Sequence, residues 1–101
     1  MKNLRKICEH LDAPELLAQL AEEAGELTQA ALKLRRVITG KNPTPVPQPK
    51  AVAGLIEEIA DVQTCLSAVA YSLQLDLDEA FDIADLKRSR WANRLEALSN
   101  G

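Results

Sequence analysis

The chain is predicted to be all-α, a four-helix bundle completed by a second copy of itself. Three observations carry that expectation. Leu, Ala, Glu, Lys and Arg dominate the sequence, and these are helix formers. Apolar residues recur at helical spacing through long segments, and no segment alternates as a strand would. The chain has one Phe, one Tyr and one Trp, so its core must be aliphatic. At 101 residues it reads as one domain over 1–101. A domain this small buries a modest share of its surface alone, so wide apolar helix faces gain from a partner.

The first helix is expected over Met1–Leu11, from Leu4, Ile7, Cys8 and Leu11. Asp12 is placed to cap a second, with Pro14 in its first turn and Glu15 three residues on. Its apolar stripe runs through Leu16, Leu20, Leu27, Ala31, Leu34 and Ile38, and Gly40 stops it. Pro43, Pro45, Pro47 and Pro49 then alternate through a stiff, extended connector over 40–50. It reads as a crossover loop, or as a lid or subunit-embracing arm. The third helix is expected from about Ala51 to Leu73, through Leu55, Ile59, Val62, Leu66 and Val69. Asp76 and Glu79 form a second capping box, followed by a fourth helix with Leu77, Phe81, Ala84, Arg88, Trp91 and Leu95 on one stripe.

The formal net charge of −3 argues against general nucleic-acid binding. Acidic residues cluster at 22–26 and 57–61, basic ones at 33–36 and 87–94. A metal-dependent enzyme acting on a polyphosphate needs both signs. Lys2, Arg5 and Lys6 precede no apolar run, and no stretch is long and apolar enough to span a bilayer, so a cytoplasmic protein without membrane attachment is expected. Cys8 and Cys65 read as small apolar helix residues that stay reduced, with a disulfide as the alternative.

The second and third helices contain an internal echo, Leu20-Ala-Glu-Glu-Ala-Gly-Glu-Leu27 and Leu55-Ile-Glu-Glu-Ile-Ala-Asp-Val62. At about 100° per residue, Glu23 shares an azimuth with Leu16, Leu20, Leu27 and Leu34, and Glu26 flanks that face. Glu58 falls likewise among Ala51, Leu55, Val62 and Val69, flanked by Asp61. Glu22 and Glu57 turn outward. A lone acidic cluster is common on a solvated helix face. Two matching clusters on apolar faces are not, because buried like charges must be compensated. Protons, a divalent cation or basic side chains such as Arg88 would do so. Oxygen donors without His or Cys favour Mg²⁺, or Mn²⁺, over zinc. The only histidine, His10, lies outside both motifs and reads as a surface residue.

Glu22-Glu23-Ala24-Gly25-Glu26 and Glu58-Ile59-Ala60-Asp61, with their flanking residues, resemble the MazG-like all-α nucleotide pyrophosphohydrolases over about residues 15–95. The resemblance implies hydrolysis of a (deoxy)nucleoside triphosphate to the monophosphate and pyrophosphate, in a homodimer or homotetramer whose subunits share the site. It assigns Mg²⁺ to Glu23, Glu26, Glu58 and Asp61, the four that the azimuths select, with Glu22 an accessory catalytic residue. For phosphate and base contacts it points to Lys87, Asn93 and Arg94, though their spacing departs from the family pattern. Lys33, Arg36, Lys50 and Arg88 are further candidate cations, each with a plainer reading as a solvated charge. Trp91 reads as core before it reads as a base-stacking residue. The competing expectation is a non-catalytic helical dimer that serves as a nucleotide-binding or protein-interaction module.

Overall fold

The Asp12 carboxylate accepts a hydrogen bond from the Glu15 backbone N–H at 3.0 Å, the cap expected from the sequence. The computed structural model describes residues 1–41 and 45–100. Within them the chain forms α1 (Lys2–His10), α2 (Ala13–Thr39), α3 (Gln48–Leu73) and α4 (Leu77–Asn100), with no strand among the described residues. Gly40 ends α2 in the left-handed region at φ 71°, where its own N–H and that of Lys41 reach back to the carbonyls of Val37 and Arg36. At the end of α3 the left-handed position is occupied by Gln74, φ 55°, a non-glycine residue. The Asp76 carboxylate then accepts from the N–H groups of Asp78 and Glu79 at the start of α4.

The connector is shorter than the proline spacing suggests. Helix α3 begins at Gln48, so Pro49, expected in the extended segment, sits in its first turn. A helix needs no N–H donor there, and proline's fixed φ suits it. Pro43 lies outside the described residues, and the lid and arm readings of the connector depend in part on it.

Helices α2 and α3 pack as an antiparallel hairpin, and α1 lies against α3. The non-exposed residues of α2 are Ala13, Leu16, Leu20, Glu23, Leu27, Ala30, Leu34 and Val37, at alternating steps of three and four. That is the seven-residue repeat of a coiled-coil seam. The expected stripe, which ended on Ala31 and Ile38, is off by one residue there, because both are exposed and Ala30 and Val37 hold the seam. A free helix drifts at 3.6 residues per turn, whereas a long packed pair holds 3.5. On α3 the seam takes Leu55, Glu58, Val62, Cys65 and Val69, leaving Ile59, Leu66 and Leu73 exposed against expectation. Leu16, Ala68 and Val69 form the buried centre, with Leu4, Ile7, Cys8 and Leu20 packed around them. The Cys8 thiol donates to the Ala68 carbonyl, and both cysteines are free.

Helix α4 stands apart from this hairpin. Its apolar stripe exists but is uncovered, with Phe81 64% and Trp91 60% exposed, so Trp91 is not a core residue of the single chain. The radius of gyration is 17.6 Å, against about 13 Å for a compact domain of this length. The accessible surface of 7959 Å² exceeds by about 2,300 Å² what a compact monomer of 11.0 kDa exposes. One chain thus forms three packed helices and a projecting fourth, rather than a closed four-helix bundle.

The small core makes a sharp prediction. Leu16→Ala should cost about 2–5 kcal/mol, because Leu16 anchors all three packed helices. Chemical denaturation followed by circular dichroism measures it, and a cost below about 1 kcal/mol would contradict this packing.

Candidate functional site

Glu23 and Glu58 occupy seam positions that packing would normally give to Leu. Facing seam residues in an antiparallel pair meet across the interface, and Glu26 leans in from the flank of α2 by the three-residue step that shares a helix face. One carboxylate oxygen from each of Glu23, Glu26 and Glu58 lies within 4.8 Å of the other two. One oxygen of Glu23 and one of Glu58, Oε2 in each case, are shut off from solvent with no hydrogen-bond partner. A buried acceptor without a donor is costly, and adjacent like charges add to that cost.

The electrostatics follow from this placement. Desolvation on the seam raises the Glu23 carboxyl from 4.5 to about 7, helped by its neighbour Glu26 and by the charges of Asp61 and Glu58. Glu58 is raised too, first by desolvation, then by Glu26, Asp61 and Glu57. Asp61 lies outside the set of three, yet close enough to act on both. Burial first, then Glu23 and Asp61, pushes the Cys65 thiol up as well. Cys65 therefore stands beside the cluster as a thiol whose ionised form is disfavoured.

Glu22 and Glu57 are exposed, as their azimuths require. Beyond Glu26 and Glu58 a cleft of about 730 Å³ opens between α2 and α3. Lys33 and Arg36 from α2 and Lys50 from α3 line it, with Gln29 and Gly54 between. The hairpin thus joins an acidic half and a basic half in one groove. The sequence reading missed Gln29, Gly54 and Cys65, although Gln29 is one turn beyond Glu26 and Gly54 one turn before Glu58. The same three- and four-residue spacing that selected the acids would have found them.

The other candidates sit elsewhere in a single chain. Lys87 and Arg94 border a small pocket on α4 with Arg90 and Trp91, and Asn93 is exposed on the same helix. Arg88 pairs with Asp85, both well exposed. Within a single chain it therefore does not neutralise the carboxylates, as one expectation had it. With Arg5–Glu9, that pair makes up the ion pairs found among the described residues, and neither involves the cluster within a single chain.

Compared with family models, with curated proteins and with solved structures, the chain matches none.

The raised carboxyls set a pH dependence for the chain in chelator. A carboxyl whose folded pKa lies above its unfolded value binds more protons when folded, so the contribution of Glu23 to stability is fully present below about pH 4.5 and is lost as pH rises through about 7. Thermal unfolding in chelator should show this fall between pH 5 and 8, and Glu23→Gln should flatten it. A Glu23→Gln chain that loses stability with pH as steeply as the parent would contradict the assignment.

Proposed function

We propose that the chain is a Mg²⁺-dependent nucleoside-triphosphate pyrophosphohydrolase of the MazG-like kind, acting as a homo-oligomer. The observation that carries this reading is the convergence of Glu23, Glu26 and Glu58 from two helices, with two buried oxygens lacking any donor. Orphaned, desolvated carboxylate oxygens with no basic partner suit a hard divalent cation. Glu23, Glu26 and Glu58 would hold it, with Asp61, one turn along α3 from Glu58, completing the set. Mn²⁺ would serve in the same role. When bound, the metal supplies charge neutralisation at phosphoryl oxygens and a more acidic water.

The chain's own residues do the rest. The seam holds Glu23 and Glu58 in place before substrate arrives, so little reorganisation accompanies the reaction. Exposed Glu22, on the outer side of the motif, orients water at the edge of the cluster. Water forms a bond to the α-phosphorus, and the bond from that phosphorus to the α–β bridging oxygen breaks. Pyrophosphate leaves with the electron pair, and the proton passes to bulk solvent, to which the cluster opens at Glu26.

Oligomerisation belongs to the same reading. Ile56, Ile59 and Leu66 on α3 and Phe81, Leu86, Trp91 and Leu95 on α4 are exposed apolar side chains. The surplus surface of the single chain is of the size that a stable subunit interface buries. A second copy would cover it. The same exposed stripes favour a second reading, a non-catalytic helical dimer that binds nucleotides or other proteins.

Pyrophosphate release separates the two. A panel of ribo- and deoxynucleoside triphosphates should yield pyrophosphate with Mg²⁺ or Mn²⁺, and Glu58→Gln should lower turnover roughly a hundredfold or more. No pyrophosphate from any nucleotide with either ion would leave the interaction module as the better account. Sedimentation equilibrium should give the mass of two or four chains; a monomer at micromolar concentration would contradict the assembly.

A further inference from the structure

The basic half of the cleft carries an inference about how a substrate lies. Lys33 and Arg36 stand two and three helical turns past Glu26 on α2, and Lys50 stands two turns before Glu58 on α3. At 1.5 Å per residue these cations begin roughly 10–15 Å along the groove from the carboxylates. None of the three belongs to the ion pairs found among the described residues. The cleft therefore changes sign along its length, acidic at the end formed by Glu26 and Glu58 and basic toward the connector.

Gly54 adds an independent observation. A helix-interior glycine costs about 1 kcal/mol relative to alanine. At Gly40 the left-handed backbone explains the residue, but at Gly54 no such conformation applies, and a Cβ there would meet no atom within 4 Å. Nothing in the packing of the single chain requires the glycine, and the residue lines the cleft. Gly25 is equally unencumbered, but it is exposed and lies outside the groove.

We propose that this half of the cleft is a leaving-group subsite for a polyphosphate. Lys33, Arg36 and Lys50 take its β- and γ-phosphates, and Gly54 keeps the floor open so that the phosphate chain lies against α3. The inference rests on the pyrophosphohydrolase reading for what happens at the α-phosphorus, and it adds a direction. The polyphosphate tail points toward the connector, the nucleoside points the other way, and pyrophosphate is the product the cleft retains.

Inorganic tripolyphosphate is the probe, titrated calorimetrically into the full chain with Mg²⁺ and, separately, with chelator. The subsite predicts binding in at least one condition, weakened roughly tenfold by each of Lys33→Gln, Arg36→Gln and Lys50→Gln. All three side chains are exposed, so these variants keep the fold. Gly54→Leu should weaken binding comparably without lowering the melting temperature, since leucine is the better helix former. Binding in neither condition, or glutamine variants that match the parent, overturns the subsite. The function reading fails separately, when tripolyphosphate binds as described yet no nucleoside triphosphate releases pyrophosphate.

Discussion

Two glutamates on the apolar seam of an antiparallel helix pair constrain everything else in this molecule. Glu23 and Glu58 hold positions where the repeat of α2 and α3 calls for leucine, and the repeat continues unbroken on either side of them. The surrounding leucines, alanines and valines supply the burial that keeps the helices together. That same burial desolvates the two carboxylates and raises both. The fold thus holds a concentration of negative charge that packing cannot relieve, and the relief must come from a proton or a cation. The two carboxylates are fixed in place, because the residues that position them are the residues that hold the hairpin.

The register of the hairpin also explains the cleft. Near the chain's first turn the seam is filled by Leu16, Ala68 and Val69, with α1 laid across. Toward the connector the side chains shrink to Ala30, Ala51 and Gly54, and the groove opens. One pair of helices therefore offers a closed end that supplies stability, a charged middle, and an open basic end. Helix α4 contributes to none of these within one chain. Its uncovered stripe and the extended shape of the molecule are the physical basis for the proposed assembly.

Much of this was legible in the sequence, and the failures are instructive. Asp12, Gly40 and Asp76 marked helix ends because capping and left-handed geometry are local, and local chemistry can be read residue by residue. The outward turn of Glu22 and Glu57, and the inward turn of Glu23 and Glu58, followed from helical azimuth alone. The choice between Ala31 and Ala30, or between Leu66 and Cys65, did not. It depends on whether the pair keeps a seven-residue repeat, a property of two helices together. The fourth helix shows the same limit. Its stripe of Phe81, Trp91 and Leu95 is a correct statement about one face, and periodicity does not say what covers that face. Pro49 misled because proline's ban from helices lifts in the first turn.

The central claim is that the seam carboxylates are held ready for a divalent cation, and proton-linked metal binding tests it most directly. Mg²⁺ titrated into the chain near pH 6, in two buffers of different ionisation heat, should bind and release protons, because Glu23 is raised to about 7. Glu58→Gln should weaken the binding, and Glu23→Gln should remove most of the proton release. Heats that are absent in the parent chain, or identical in the parent and both variants, would contradict the account.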